Sequence, residues 1–296
     1  MKNHNVYFSV LLGLCFLLIL LTVSSGVLLA QEETAEEYSS EIPPTPEGQK
    51  IPVNIGVAVI DVDTIDGSNQ SFVANFSVSA QWEDPRLATD TDVVRIMNLN
   101  KVWSPTLQIL NQQKLFKTFP DKAEVSPDGT VTYRQRYWGT LSNAMNLKTF
   151  PLDNHNLQIK IISIGNNAND IQFSISDERT GMAEQLTVTD WNVKGWDAYA
   201  ANIDLGRTLP TPPGVVFELQ VQRLVGFYII KVLIPLMLIV FMSLVVLFID
   251  PAQMGPRFSI SITAILTLIA YRFLLGNLLP KISYLTYMDY FLFGSM

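Results

Sequence analysis

Apolar and polar residues alternate along most of the chain between residues 51 and 224. The alternation runs through residues 53–59, turns at the Asp-Gly-Ser-Asn segment 66–69, and returns through residues 72–80. Period two with turn residues between the runs is typical of antiparallel strands. Further alternating runs cover residues 131–135, 157–163, 171–175 and 215–221. The pattern predicts an all-β sandwich, immunoglobulin-like with Greek-key connections, over residues 51–224.

Long apolar runs replace this alternation after residue 224. Residues 227–249 and 257–277 are each long enough to cross a bilayer as a helix, for which ~20 residues suffice. Residues 284–296 have the composition of the start of a third span. Pro235 lacks an amide proton, so we expect the first helix to bend and neighbours to satisfy the freed carbonyl. The runs predict an α-helical transmembrane region over residues 225–296.

One side of the second predicted span carries a stripe with polar ends and an apolar middle. Its members are spaced by four or three residues and therefore share one helix face: Ser259, Thr263, Leu266, Ala270, Phe273 and Asn277. A water-filled pore with a hydrophobic constriction needs such a surface, and we predict Leu266 and Phe273 as the gate. Small residues also favour close packing of membrane helices, and the spacing taken alone favours packing.

The N-terminal residues indicate export. Residues 1–30 are typical of a secretory signal peptide, with Lys2, a long apolar core and small residues before a cleavage point after Ala30. An uncleaved anchor helix is the alternative. Residues 31–50 are acidic and proline-bearing, which predicts a flexible leader. We therefore expect a multi-pass protein of the plasma (inner) membrane whose N-terminal domain is extracellular or periplasmic.

Composition and charge exclude several functions. The 296 residues are 48% hydrophobic and 16% charged with a formal net charge of −7, which fits an exported domain joined to a membrane region and argues against nucleic acid. Cys15 is the only cysteine, and His4 and His155 are the only histidines, so no disulfide framework, zinc site or Cys-His pair is available. No nucleophile–base constellation or phosphate-binding glycine loop appears either. We expect no metal, no cofactor and no enzymatic activity.

An acidic run at Asp61, Asp63 and Asp66 superficially suggests a calcium loop. The bidentate glutamate at the EF-hand spacing is missing, and Asp-Gly is ordinary turn chemistry. We prefer the interpretation as a turn.

Several short motifs follow one another in order along residues 51–296. They are Trp82-Glu83-Asp84-Pro85-Arg86-Leu87, Trp103-Ser104-Pro105 with Asn111, Phe150-Pro151-Leu152-Asp153, Arg223, Pro235, and Leu279-Pro280-Lys281-Ile282-Ser283-Tyr284. Together they resemble the bacterial, cysteine-free members of the pentameric ligand-gated ion channels, the Cys-loop receptor superfamily. Asn143 and Leu157 stand where animal members have cysteines, and Thr106 stands where aspartate is usual. Family subunits have four spans, so we expect this chain to be truncated in the third.

The resemblance implies a homopentamer in which the second span lines a pore for an inorganic ion, surrounded by membrane lipids. A small molecule or a proton would bind between neighbouring β-domains and open that pore. The resemblance implies coupling residues at the junction with the membrane, namely Phe150, Pro151, Asp153, Arg223, Asp66, Pro280 and Lys281. We predict that Asp153 pairs with Arg223 and that Asp61 or Asp63 shares the pair. Candidate ligand-binding residues are Trp103, Tyr137, Trp138, Tyr199 and Asn166.

The main alternative is a membrane-anchored β-sandwich that acts as a binding or adhesion module without a pore. The identity of the ligand stays open. Charge selectivity stays open as well, because Pro256 precedes Arg257 where cation-selective relatives usually carry glutamate.

Overall fold

The computed structural model describes residues 38–45, 48–165, 170–206, 211–275 and 282–294. The predicted signal peptide and most of the flexible leader lie outside these residues. Within them, twelve strands form two sheets and are followed by helices. The strands are β1 (Ile51–Asp66), β2 (Ser71–Glu83), β3 (Arg95–Asn98), β4 (Leu107–Ile109), β5 (Gln112–Lys117), β6 (Lys122–Val125), β7 (Thr130–Ser142), β8 (Asn154–Ser163), β9 (Ile171–Ile175), β10 (Gly181–Met182), β11 (Trp191–Asn202) and β12 (Pro213–Arg223).

The larger sheet has the order β10-β1-β2-β7-β6-β3, with β5 also paired to β7 and β9 to β1. The smaller sheet has the order β11-β12-β8-β4. The two-sheet all-β prediction is confirmed, but the prediction of purely antiparallel pairing is wrong at β1. This strand pairs in parallel with β9 and β10. Alternation determines which face of a strand is buried and carries no information on the direction of its neighbour.

The core lies between the sheets and is formed by the inward-facing residues of the alternating runs. Fully buried examples from both sheets are Val53, Ile55, Phe76, Leu141, Ile161 and Phe217. Each such side chain stabilises the fold by about 1.5–3 kcal/mol relative to an exposed one. The alternation missed β11, because among its residues Trp191 is buried whereas the rest are half-buried or exposed.

Three helices follow: α1 (Gly226–Phe248), α2 (Met254–Leu275) and α3 (Tyr287–Gly294). The first two are long and apolar enough to cross a membrane. α2 begins three residues earlier than predicted because Pro256 lies in its first turn, where a missing amide proton costs no helical hydrogen bond.

α3 begins three residues later than predicted, after Thr286. The Asp289 amide donates to the Thr286 hydroxyl, and the Asp289 carboxylate accepts from the Thr286 amide at 2.8 Å. This reciprocal pair is a capping box, a start signal that is visible in the sequence Thr-Tyr-Met-Asp.

Candidate functional site

Arg223 and Asp153 form a bidentate ion pair where the sandwich meets the helices. Arg223 ends β12 and Asp153 immediately precedes β8. Arg223 Nε donates to Asp153 Oδ1 at 2.8 Å, and Nη2 donates to Oδ2 at 2.9 Å. The Asp153 side chain is fully buried and that of Arg223 is 8% exposed. The predicted pair is therefore present, in the geometry that makes such bonds strongest.

The third member of the pair is His155, and not Asp61 or Asp63. His155 Nε2 lies 2.7 Å from Asp153 Oδ2, and both residues are buried. Asp61 instead accepts from the Thr187 amide and hydroxyl, and Asp63 accepts from Trp138 Nε1. The prediction of an additional acid is thus wrong. A second buried carboxylate beside Asp153 would repel it, whereas histidine can donate to it.

The environment of Asp153 keeps its carboxylate ionised. Burial raises its pKa, but hydrogen bonds from His155 and Arg223, together with the Arg223 charge, outweigh burial and lower the pKa to about 2.

Aromatic rings from three elements surround the Arg223 guanidinium. Its Cζ lies 4.1 Å from the ring centre of Trp191, 4.9 Å from that of Phe150 and 6.0 Å from that of Tyr228. Phe150 also packs edge-to-face on Tyr228 at 4.9 Å. A guanidinium over aromatic faces is attractive, more so away from water. Arg223 therefore contacts β11, the loop that carries Phe150, and the first turn of α1.

The start of α3 docks on the same loop, the segment 143–153. The amides of Tyr287 and Met288 donate to the carbonyls of Lys148 and Phe150 at 3.0 and 3.3 Å. These are first-turn amides, which have no partner within their own helix. The Leu147 amide donates to the Tyr284 hydroxyl at 2.9 Å. The Phe150–Pro151 peptide bond is cis.

The turn after β1 contacts this loop without joining the ion pair. Asp66 Oδ1 accepts from the amides of Ser68 and Asn69, so its side chain closes its own turn. A Cβ atom at Gly67 would lie 3.1 Å from Leu147 Cδ2, which places this turn directly against the loop. Asp66 thus has the turn role preferred from the sequence, whereas Asp61 and Asp63 lie within β1 and accept from Thr187 and Trp138. Pro280 and Lys281 lie outside the described residues.

Asn143 bridges the loop to β8 on both sides of Leu157. Its Oδ1 accepts from the Gln158 amide at 2.9 Å, and its Nδ2 donates to the Asn156 carbonyl at 3.1 Å. Asn111 continues the bridge, because its Nδ2 donates to the Gln158 carbonyl at 2.7 Å. The side-chain amides of Asn143 and Asn111 therefore supply hydrogen-bond partners for the backbone groups of Asn156 and Gln158 at this edge of β8.

The two faces of α2 differ in their contacts within the subunit. The face that packs comprises buried or half-buried residues at helical spacing: Arg257, Ile260, Ser261, Ala264, Leu268, Tyr271 and Leu275. The stripe residues Ser259, Thr263, Leu266, Ala270 and Phe273 are all exposed, Leu266 by 61% and Phe273 by 77%. Asn277 lies outside the described residues. Packing against α1 therefore leaves the stripe uncovered.

Tyr271 of α2 satisfies the bend in α1. A π-helical segment, Ile229–Leu233, precedes Pro235, and the Ile234 amide bonds to the Ile229 carbonyl. The Tyr271 hydroxyl contacts the carbonyls of Val232 and Lys231 at 2.8 and 3.2 Å. Pro235 has no amide proton to donate to the Lys231 carbonyl. The Tyr271 hydroxyl reaches this carbonyl, which is the kind of neighbour that the sequence led us to expect.

The described ligand-binding candidates differ in burial and lie on different elements, except that Tyr137 and Trp138 are consecutive residues of β7. Tyr137 is buried and stacks on Phe76, and burial raises its pKa to about 12. Trp103 is 5% exposed and packs edge-on to Trp82. Trp138 and Tyr199 are exposed, on β7 and β11 respectively. Asn166 lies outside the described residues.

Sequence reasoning missed four residues of the junction and helices: His155, Trp191, Tyr228 and Tyr271. A signal existed for His155, because it follows Asp153 by two positions at the start of a strand and so shares its face. Trp191 and Tyr271 carry no comparable signal, since their partners are distant in sequence, and Tyr228 follows Arg223 where the alternation has ended.

Comparison with known proteins places the chain in a family. Residues 29–225 match the neurotransmitter-gated ion-channel ligand binding domain, and residues 232–296 match the neurotransmitter-gated ion-channel transmembrane region. A proton-gated ion channel of Gloeobacter violaceus (strain ATCC 29082 / PCC 7421) is 25% identical over 251 residues, which cover 83% of this chain and 69% of that protein. The two matches follow one another along the chain, and they coincide with the two sheets and with the apolar helices. The chain is a membrane protein that belongs to the neurotransmitter-gated ion-channel family, an ion-channel and not an enzyme family.

Proposed function

We propose that this chain is one subunit of a homopentameric ligand-gated channel whose α2 helices line the pore. The observation that carries the proposal is the uncovered stripe of α2. Its residues do not pack against α1, which they share with other exposed residues of α2 such as Ile262 and Ile265. The stripe differs from these residues in its polar ends and apolar middle, the order of surfaces that a pore with a hydrophobic constriction needs. Five copies around an axis would turn Ser259 and Thr263 to the inner mouth and Asn277 to the outer mouth. Leu266 and Phe273 would form the constrictions between them, which close by dewetting.

The junction supports coupling between the sandwich and this pore. The loop segment 143–153 contacts the Asp153–Arg223 pair on one side and the start of α3 on the other. The sandwich therefore contacts both α1 and α3 directly, so that a movement of the sandwich would act on both helices. We assign this coupling to Phe150, Pro151, Asp153, Arg223 and the Asp66 turn, with Pro280 and Lys281 completing it.

The ligand is a proton or a small molecule that acts on the sandwich, on the extracellular or periplasmic side of the membrane, and the permeant species is an inorganic ion. The Gloeobacter relative is named as proton-gated, which makes the proton the first ligand to test. Trp103, Trp138, Tyr199 and Asn166 stay candidates for a small molecule bound between subunits. Tyr137 is buried against Phe76 on the opposite face of β7 from Trp138, so it would not contact such a ligand directly.

The test combines mass with ion flux. The full chain, extracted in detergent, should have the mass of a pentamer, and proteoliposomes should release a trapped ion when the outer pH falls. Cysteine substitutions at Ser259 and Thr263 should react with a water-soluble thiol reagent, whereas one at Ile262, off the stripe, should react less. A monomeric mass without flux would favour an adhesion module, and equal reactivity at all three positions would remove the pore assignment.

A further inference from the structure

His155 is buried beside the Asp153–Arg223 pair, although the pair already has two hydrogen bonds without it. Its imidazole is 7% exposed, and its Nε2 binds the carboxylate oxygen that also accepts from Arg223 Nη2. Its ring centre lies 5.6 Å from that of Trp191. Histidine is the side chain whose ordinary pKa places a change of charge between about pH 5 and 8. A titratable donor is thus buried against the one carboxylate that holds Arg223.

The charge balance of the cluster depends on this imidazole. Asp153 and Arg223 together are neutral, and a neutral His155 adds no charge. A protonated His155 places two cations on one buried carboxylate, and each cation weakens the hold of the other. The charged group in contact with the imidazole is Asp153, and Arg223 binds the same carboxylate. Tyr228 and Asp190 lie on the Arg223 side of the cluster, and Lys160 lies five positions along β8 on the other face of that strand.

The carboxylate is a poor site for an incoming proton. The pKa of Asp153 is about 2, because the hydrogen bonds from His155 and Arg223 and the Arg223 charge outweigh the effect of burial. Between neutral pH and about pH 4, Asp153 therefore remains ionised. The carboxylate is therefore not the group of this cluster that takes up a proton over that range.

Arg223 connects the ion pair to the membrane region. The guanidinium contacts the rings of Trp191, Phe150 and Tyr228, and the last of these is in the first turn of α1. If the bond from Arg223 Nη2 to Oδ2 weakens, the guanidinium keeps its Nε bond to Oδ1 and is free to rotate against these rings. Sandwich and α1 then have two arrangements that differ by the protonation of one residue.

We propose that His155 is a proton-binding site of this channel, and that its protonation loosens Arg223 from Asp153 and so biases the junction. The role of His155 in gating rests on the proposed function, whereas its binding of a proton does not. His155 acts through Arg223 and is a positioning residue with respect to the pore.

Proton binding can be measured without ion flux. The chain has two histidines, and His4 lies in the predicted signal peptide. His4→Gln makes His155 the one histidine whether or not that peptide is cleaved, so 15N-histidine labelling of this variant reports the ring nitrogens of His155 alone. We expect their chemical shifts to change from those of the neutral ring to those of the protonated ring as the pH is lowered. Ring nitrogens that stay in the neutral form down to about pH 4 would overturn the proposal.

The link to gating is measured by flux. His155→Gln replaces the titrating donor with a carboxamide that can donate to Asp153 and cannot be protonated in this range. We expect the pH-dependent part of the flux to shrink or shift to lower pH in His155→Gln, and to stay unchanged in the matched control His4→Gln. Should His155→Gln not fold, His155→Asn provides the same comparison. A normal pH response in a folded variant would overturn the role of His155 in gating. If the parent protein shows no flux at any pH, the proposed channel function fails, and the nitrogen chemical shifts alone decide whether His155 binds a proton.

Discussion

Arg223 and Asp153 are 70 positions apart in sequence and meet through two parallel hydrogen bonds of 2.8 and 2.9 Å. Asp153→Asn would leave a buried guanidinium without its counter-charge, which should cost about 3–5 kcal/mol. We expect less folded protein in the membrane and loss of ion flux. The matched control is Glu124→Gln, which breaks the exposed pair with Arg134 and should cost at most about 1 kcal/mol. Equal losses in both variants would contradict the assigned role.

The same pair predicts acid sensitivity of the fold. The pKa of Asp153 is depressed, so its stabilisation is complete above the ordinary value of 3.8 and is lost as the pH falls through the folded-state value of about 2. A shift of this size corresponds to about 2 kcal/mol. Thermal unfolding of the full chain in detergent should show this loss, and Asp153→Asn should flatten the pH dependence over that window. A parent protein whose Tm does not change there would contradict the prediction.

Leu266→Ser tests the predicted gate. A hydroxyl in place of the exposed isobutyl group lowers the cost of wetting the constriction, so the leak without ligand should rise on the order of tenfold, equivalent to about 1.4 kcal/mol. Ile265→Ser makes a similar change one position away from the stripe and should leave the leak unchanged. The assignment fails if the two variants leak alike in a flux assay with proteoliposomes.

Tyr271→Phe removes the hydroxyl that satisfies the bent segment of α1. Hydrogen bonds between membrane helices contribute about 0.6 kcal/mol on average and up to about 1.7 kcal/mol, and this one serves two carbonyls. We therefore expect a loss near the upper value, measured as the free energy of unfolding in mixed micelles. Tyr290→Phe, at an exposed tyrosine, is the control and should change the stability little. A loss no larger than in the control would show that the carbonyls need no partner.

Asn143→Ala tests the bridge to β8. The substitution leaves the Gln158 amide and the Asn156 carbonyl without this partner, at a cost of about 1–3 kcal/mol. Asn143→Asp keeps the acceptor for Gln158 but places a buried carboxylate against the Asn156 carbonyl, so it should lose more stability than Asn143→Ala. An Asn143→Asp variant that is more stable than Asn143→Ala in chemical denaturation would contradict the contact with Asn156.

The sequence by itself determined the architecture of this protein. Period-two alternation predicted a two-sheet sandwich, and apolar runs predicted helices at 227–249 and 257–277 within three residues of their observed starts. These properties are local, because burial of one strand face or one helix length follows from residues that are neighbours in the chain. The order of short motifs indicated the family.

Only the tertiary structure decided which residues meet. The parallel pairing of β1, the bond from Tyr271 to α1, and the stacking of Trp191 on Arg223 join segments whose separation leaves no periodic trace. His155, and not an aspartate, shares the Asp153–Arg223 pair, because that buried carboxylate needs donors and repels a second anion. Local patterns predict which surfaces are buried, and long-range packing selects their partners.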